Sequence, residues 1–194
     1  MGNVINLENE IVSILDESIK VKEGIKELIP MIRKISEEII KAYKNKKKVV
    51  LFGNGGSAAD AQHIAAEFVG KFYKDREALP SLAFHTNTSS ITATANDYGY
   101  DLIFERQVNA FVENGDIAIG ISTSGNSPNV VKGLERAKAK GAITIGMTGQ
   151  KENKIEKIAD YCLKMPSTDT PRIQEGHGVV GHIICYLVEK ELFK

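Results

Sequence analysis

The sequence lacks a net charge and any cysteine motif. Its 194 residues carry 25 Lys and Arg against 25 Asp and Glu, so no global electric field would attract nucleic acid or an anionic membrane. The two cysteines, Cys162 and Cys185, lie in apolar surroundings and form neither a CxxC motif nor a zinc-ribbon spacing. We therefore expect reduced cysteines in the core, no nucleic-acid partner and no membrane partner.

Long apolar runs are also missing. No stretch approaches the roughly 18 apolar residues of a membrane span, and the amino-terminal region, with Glu8, Glu10 and Asp16, lacks the basic and then apolar layout of a signal peptide. These absences predict a cytoplasmic location. With 42% hydrophobic residues, the chain is suited to one globular domain over residues 1–194.

Two amphipathic helices are predicted before the core. Apolar residues recur at helical spacing between residues 7 and 21 and again between 28 and 39. Pro30 fits the first turn of the second helix, which predicts a break between residues 22 and 28. We expect residues 1–46 to pack on the core and on neighbouring subunits.

Beyond residue 46, strand and helix patterns alternate. Short apolar runs predict five strands, at residues 49–52, 81–84, 116–121, 142–147 and 161–165, and a last helix is predicted from Arg172 to Phe193. This alternation predicts a three-layer α/β/α sandwich with a five-stranded, mostly parallel sheet. In such sheets, ligands bind at the carboxyl ends of the strands.

A glycine-rich loop follows the first predicted strand. Asn54, Gly55 and Gly56 lead to Ser57, a predicted helix N-cap, so the loop would offer backbone N–H groups to an anion. The glycine spacing also matches a dinucleotide-binding fingerprint. However, the second strand is followed by His85, at the place where an acidic residue would bind the ribose.

A second loop, after the third strand, is rich in hydroxyl groups. Pro128 is predicted to open the next helix, with Ser127 as its N-cap. The pattern predicts a phosphomonoester site that needs no lysine or arginine, although a serine-rich turn alone would look the same. The glycine loop favours the phosphate interpretation. The hydroxyl residues are Ser122, Thr123, Ser124 and Ser127.

Polar residues on two predicted helices are candidates for chemistry. His63 and Glu67 are four apart and share one helix face, on a helix whose many alanines allow another element to approach. Gln174 and His182 lie about two turns apart on the last helix. Alone, a histidine and a glutamate at this spacing are more often a solvated pair or a cap, and the residues of the last helix would suit scattered polar positions.

Taken together, these segments resemble the phosphoheptose isomerases, a family of sugar isomerase (SIS) fold enzymes. The resemblance spans nearly the whole chain. It implies conversion of sedoheptulose 7-phosphate to D-glycero-D-manno-heptose 7-phosphate, the entry to bacterial heptose precursors, by a homotetramer with sites at subunit interfaces. The matching segments are 53–67, Asn96-Asp97-Tyr98-Gly99, 122–127 and 172–182.

The resemblance also implies residue roles, with Glu67 as general base and His182 as general acid. It implies one zinc ion per subunit, with the ligands His63, Glu67, Gln174 and His182. The implied substrate-binding residues are Asn54, Gly55, Gly56, Glu67, Asn96, Asp97, Ser122, Thr123, Ser124, Ser127 and Gln174.

Other functions of the same fold stay open at this point. One is a non-catalytic tetramer that binds a protein partner such as the replication initiator DnaA, and another is an isomerase of a different sugar phosphate. A sugar-phosphate-sensing domain of a regulator would require a DNA-binding domain, for which the amino-terminal helices are too short and too acidic. The presence of all four implied zinc ligands favours an enzyme.

Four further questions stay open at this point. They are the glycan that receives the heptose, the anomeric outcome, whether the zinc is catalytic or structural, and the role of His177.

Overall fold

Five parallel strands form one sheet in the computed structural model, which describes residues 6–194. The order across the sheet is β2-β1-β3-β4-β5, and every neighbouring pair is parallel. The predicted five-stranded sheet is confirmed, and it is parallel throughout. The strands are β1 (Val49–Gly53), β2 (Ser81–Ala83), β3 (Ile117–Ile121), β4 (Ile143–Thr148) and β5 (Tyr161–Lys164).

Within the described residues, eight α-helices accompany the sheet. They are α1 (Leu7–Gly24), α2 (Ile29–Lys44), α3 (Gly56–Val69), α4 (Thr88–Tyr98), α5 (Ile103–Phe111), α6 (Pro128–Ala139), α7 (Lys154–Ile158) and α8 (Thr170–Leu192). Helices α2, α3 and α8 pack on one face of the sheet, and α5, α6 and α7 pack on the other. This arrangement is the predicted three-layer α/β/α sandwich.

The strands are buried on both faces, which explains their uninterrupted apolar sequences. Leu51 and Ile119 belong to the core under α2, α3 and α8, whereas Phe52 and Ala118 belong to the core under α5, α6 and α7. Successive side chains of a strand point to opposite faces. One apolar run therefore supplies both cores.

The two amino-terminal helices form one continuous helical segment. A 3-10 turn, Ile25–Leu28, joins α1 to α2, and Pro30 lies in the first turn of α2. The predicted break is therefore a change of helix type. Both helices contact α8. The first five residues of the predicted segment 1–46 lie outside the described residues.

The start of α8 corrects a predicted boundary. The sequence predicted a helix from Arg172, but α8 begins at Thr170 with Pro171 in its first turn. The first turn of a helix tolerates proline because its N–H groups have no intrahelical partner. Among residues 6–194, none of the helices has the length and hydropathy needed to cross a membrane.

The topology creates a crevice between β1 and β3. These neighbours run parallel, with Gly53 opposite Ile121 at their carboxyl ends. The helix after β1, α3, packs on one face of the sheet, and the helix after β3, α6, packs on the other. The glycine loop and the hydroxyl loop therefore leave the same edge of the sheet in opposite directions. The crevice between two such loops is the usual place where a parallel sheet binds a ligand.

A buried ion pair connects the carboxyl ends of α3 and α8. The side chains of Arg76 and Glu189 are only 2% and 3% exposed, with 3.1 Å between Arg76 Nε and Glu189 Oε2. Glu189 also accepts the backbone N–H groups of residues 72–74. Arg76 donates to the carbonyl oxygens of Glu67 and Phe68, each at 2.8 Å. Burial alone would raise the pKa of Glu189, but the N–H donors of Tyr73, Lys74, Phe72 and Arg76 hold that pKa below its ordinary value.

Replacing Glu189 by glutamine should strongly destabilise the protein. Glu189→Gln keeps the size of the side chain but leaves the Arg76 charge buried without a counterion, a change that typically costs about 3–5 kcal/mol. We expect a loss of this size in the free energy of unfolding, measured by urea denaturation at one fixed protein concentration.

Glu191→Gln is the matched control, since Glu191 lies two residues further along α8 and makes exposed ion pairs with Lys44 and Lys194. Exposed pairs contribute little to stability, so the control should unfold almost as the wild type does. Equal losses in both variants would show that the buried pair has no special role.

Candidate active site

The glycine loop joins β1 to α3. Gly55 precedes α3 with φ of 55°, a conformation that side chains disfavour. The structure corrects the predicted N-cap, because Gly55 occupies that position and Ser57 lies buried in the first helical turn. A side chain at Gly56 would collide with the amide of Gln174. The loop therefore presents bare backbone toward α8.

The hydroxyl loop forms a compact cluster at the amino end of α6. Ser122 Oγ lies 3.0 Å from Ser127 Oγ and 3.4 Å from Ser124 Oγ. Ser127 occupies the predicted N-cap position and Pro128 follows in the first turn, but the Ser127 hydroxyl contacts Ser122 instead of capping the backbone. A cluster of hydroxyl donors at the positive end of a helix suits a phosphate group.

A cavity of about 300 Å³ opens beside this loop. Thr123, Ser124 and Asn126 line it from the hydroxyl loop, and Thr168 and Thr170 line it from the approach to α8. A larger cavity of about 620 Å³ lies between α2 and α8, with Arg33, Ile40 and Leu187 among its lining residues, and none of the predicted site residues lines it. The smaller cavity is the one adjacent to the site.

The structure brings three predicted residues of α3 and α8 together. His63 Nε2 lies 3.0 Å from Glu67 Oε1 and 3.2 Å from His182 Nε2, and His182 Nε2 lies 4.0 Å from Glu67 Oε1. Ligands arranged as a tetrahedron around zinc, at roughly 2.1 Å from the metal, lie about 3.4 Å apart. Two histidines and one glutamate form a donor set found in catalytic zinc sites. The three side chains therefore fit a zinc ion.

These three side chains are partly open to solvent in the single chain. The side chain of Glu67 is 22% exposed, and those of His63 and His182 are 53% and 45% exposed. The ring of Phe72 lies beside His182, with 5.5 Å between the ring centroids. The backbone of residue 72 is in turn held by Glu189. The buried ion pair therefore supports one wall of the triad.

Gln174 lies apart from the triad, at the glycine loop. Its amide packs against Gly56 at the start of α3, and it is eight residues before His182 on α8, or about 12 Å along the helix axis. This position suits the predicted contact of Gln174 with a substrate. Its predicted role as a fourth zinc ligand stays a prediction.

Asn96 and Asp97 lie in the last turn of α4. Both are exposed, and Asn96 Nδ2 donates to Asp97 Oδ1 at 2.9 Å. A 3-10 turn, Tyr100–Leu102, follows, and the Tyr100 hydroxyl donates to Asn54 Oδ1 at 3.1 Å. This segment is therefore connected to the glycine loop through Tyr100.

Sequence reasoning missed several residues that shape the site. Phe72 and Arg76 lie in the connection between α3 and β2, where no periodic pattern marks them. Asn129 is a polar residue buried at the start of α6, directly after Pro128. A polar residue in the first turn of a helix, next to a predicted ligand loop, is the one local signal that would have indicated Asn129.

His177 has a structural position under the hydroxyl loop. It is fully buried, and its Nε2 lies 3.3 Å from the carbonyl oxygen of Thr148, so Nε2 carries the proton. Gly149, the residue after Thr148, donates its backbone N–H to the carbonyl oxygen of Thr123 in the hydroxyl loop. Burial lowers the pKa of His177 to about 4. His177 is therefore neutral in the folded protein at ordinary pH.

Comparisons with known proteins agree with this architecture. A model of the SIS domain family matches residues 15–149. Phosphoheptose isomerase of Aneurinibacillus thermoaerophilus is 53% identical over 191 residues, which cover 97% of this chain and 96% of the relative. Phosphoheptose isomerase 2 of Campylobacter jejuni is 54% identical over 191 residues, covering 97% and 95%. The structure of phosphoheptose isomerase GmhA from Neisseria gonorrhoeae matches with a TM-score of 0.90 and 36% identity, covering 95% of this chain and all of that chain.

The low pKa of His177 predicts a loss of stability in mild acid. Between pH 6.5 and about 4 the unfolded chain binds a proton at this residue and the folded chain does not. The free energy of unfolding should therefore fall by up to about 1.4 kcal/mol for each pH unit below 6.5. Urea denaturation across this range measures the slope.

His177→Gln is the variant that isolates this effect, because a glutamine amide can donate to Thr148 but does not titrate. The variant should lose stability less steeply than the wild type between pH 6.5 and 4. Parallel slopes in the two proteins would contradict the assignment.

Proposed function

The chain belongs to the SIS domain family, and we propose that it is a phosphoheptose isomerase. The proposed reaction converts sedoheptulose 7-phosphate to D-glycero-D-manno-heptose 7-phosphate, the first step of bacterial heptose precursor synthesis. The observation that carries the proposal is the convergence of His63, Glu67 and His182 in a chain 53% identical to a phosphoheptose isomerase over nearly its full length. A non-catalytic relative would not need this triad.

We propose that the hydroxyl loop binds the phosphate of the substrate. Ser122, Thr123, Ser124 and Ser127 offer hydroxyl donors at the amino end of α6. The phosphate lies at the far end of the sugar from the reacting carbons, so its binding energy orients the substrate without entering the chemistry. Asn54, Gly55, Gly56, Asn96, Asp97 and Gln174 are the proposed contacts to the sugar.

Glu67 is the proposed general base. It removes a proton from C1, the electron pair of that C–H bond forms a C1=C2 double bond, and the ketone oxygen at C2 becomes an enediolate oxygen. His182 is the proposed donor to that oxygen. A proton then returns to C2 and the hydroxyl on C1 loses its proton, which leaves an aldehyde at C1. Two hydrogens have moved within the sugar, and no external oxidant or reductant is needed.

We propose His63, Glu67 and His182 as ligands of one zinc ion, and the role of Gln174 as a fourth ligand stays a prediction. Zinc bound there would act as a Lewis acid that polarises a substrate oxygen. Glu67 would then serve both as ligand and as base. Glu67 would either release the metal in order to act as base or stay its ligand, in which case the chemistry supplied by zinc would be orientation of the sugar. The variants Glu67→Gln and His63→Ala separate these roles.

Replacing Glu67 by glutamine should abolish proton transfer and preserve substrate binding. Glu67→Gln keeps size and hydrogen-bonding capacity but removes the base, so kcat should fall by roughly 10²–10⁴-fold. The substrate should still bind through its phosphate. Product formation is measured with sedoheptulose 7-phosphate, fructose 6-phosphate and ribulose 5-phosphate as alternative substrates. Sedoheptulose 7-phosphate should give the highest kcat/KM.

His63→Ala is the control for metal loss, because it removes a proposed ligand and leaves the base. Zinc content is measured for both variants alongside the rates. Near-normal turnover in Glu67→Gln would contradict the proposed base, and equal collapse in both variants, with equal zinc loss, would identify the metal site as the essential unit. Faster turnover of another sugar phosphate would reassign the substrate.

We also propose a homotetramer in which residues 1–46 contact neighbouring subunits. The support is an apolar stripe on α1, whose residues are each more than half exposed in the single chain, together with the partly open triad. The stripe comprises Leu7, Ile11, Val12, Leu15 and Ile19. A continuous apolar stripe of this size on one helix is typical of an interaction surface. The cytoplasmic location stays a prediction.

A charge placed in this stripe should break the assembly. Ile11→Asp combined with Leu15→Asp would bury two charges at the proposed interface, so light scattering at micromolar concentration should give a smaller mass than for the wild type. Ser13→Asp adds a charge to the same helix outside the stripe and should leave the mass unchanged. A wild-type monomer with full activity would contradict the tetramer.

A further inference from the structure

The side chain of Asn54 is the centre of a small hydrogen-bond network. Asn54 Nδ2 donates to Asn129 Oδ1 at 2.9 Å, and Asn129 Nδ2 donates back to Asn54 Oδ1 at 2.9 Å. The Tyr100 hydroxyl donates to the same Asn54 oxygen at 3.1 Å. The Asn54 carboxamide thus makes three contacts within the protein.

Asn129 is held rigidly on its own helix. It is 2% exposed, and its Oδ1 also accepts the backbone N–H of Val130 at 2.9 Å. Because Oδ1 faces this N–H, Nδ2 is the atom that donates to Asn54. Two amides paired in both directions need a donor and an acceptor on each side chain. Neither an acid nor an apolar residue at position 129 would reproduce the pair.

The network joins three segments that are far apart in sequence. Asn54 begins the glycine loop after β1, and Asn129 lies two residues after Ser127 of the hydroxyl loop. Tyr100 follows the end of α4, which carries Asn96 and Asp97. These are the segments to which the proposed function assigns the sugar and the phosphate, and the contacts cross the crevice between β1 and β3.

We infer that Asn129 and Tyr100 are positioning residues that hold the glycine loop and the hydroxyl loop at a set separation through Asn54. The inference rests on the proposed function. The substrate phosphate is on C7 and the reacting carbons are C1 and C2, so the two ends of one extended molecule must fit two different loops. Binding phosphate requires only the hydroxyl loop, whereas placing C1 beside Glu67 requires both loops in register.

Tyr100→Phe tests the network with the smallest change. Tyr100 is 56% exposed and the variant loses one hydroxyl, so the fold should be unaffected. Loss of one hydrogen bond of ordinary strength predicts a fall of about 2- to 12-fold in kcat/KM, mainly in kcat. Tyr98→Phe is the matched control, since Tyr98 is also exposed and its ring packs under Arg106. The control should stay within about twofold of the wild type.

Asn129→Ala removes the whole amide pair and should cost roughly 10²-fold in kcat/KM, because a small displacement of one loop misplaces the reacting carbons. The inhibition constant of inorganic phosphate should change by less than about threefold, since the hydroxyl cluster is intact. If Asn129 had a purely structural role, Asn129→Ala would lower the melting temperature and the active fraction. It would then not lower kcat/KM selectively while leaving phosphate binding nearly unchanged.

The double variant completes the test. Tyr100→Phe and Asn129→Ala act through the same Asn54 side chain, so their effects on kcat/KM should not add. Additive effects, or a normal kcat in both single variants of an active enzyme, would overturn the inference and leave the proposed function intact. Absence of isomerisation by the wild type would overturn both. If Asn129→Ala does not fold, the comparison of kcat/KM between Tyr100→Phe and its control Tyr98→Phe decides whether the inference holds.

Discussion

The parallel pairing of β1 with β3 is the constraint on which the site depends. Because these strands run side by side, Gly53 and Ile121 end at the same edge of the sheet. Their following helices pack on opposite faces, so two loops begin close together and diverge. Each loop then opens onto a helix amino terminus. A bound molecule can therefore meet backbone N–H groups at one end and hydroxyl groups at the other.

Close packing of α3 against α8 supplies the chemical groups. Gly181 packs against Ile64, and a side chain at position 181 would collide with it. These two residues are the direct neighbours of His182 and His63, so the glycine lets the two histidines approach to 3.2 Å. The Arg76–Glu189 pair fastens the other ends of these helices. The proposed substrate orientation and the proposed acid–base chemistry thus depend on different sets of contacts around one crevice.

The hydroxyl loop itself carries no cation, although Lys151 lines the cavity beside it. A chain of zero net charge has no general field to attract an anion, and the hydroxyl loop has no lysine or arginine among residues 122–127. Hydroxyl donors and the positive end of α6 are the groups that this loop offers to an anion. Such directional donors depend on geometry, which is why the contacts that hold the two loops in register matter to the proposed catalysis.

The sequence by itself determined the strands, most helix positions and the places of the glycine loop and the hydroxyl loop. These features depend on local properties: apolar runs that favour buried strands, the freedom of glycine, and the preference of Pro128 for a first helical turn. The spacing of His63 and Glu67 placed both on one helix face. His182 was a candidate from its place on the last helix, but only the resemblance to a known family connected it to His63, since nothing local joins the two. Tertiary structure alone decided the pairing of Asn54 with Asn129, the ion pair of Arg76 with Glu189 and the position of Gln174 at Gly56. These contacts join residues 75 to 118 positions apart, and packing of whole elements, which no local propensity encodes, brings them together.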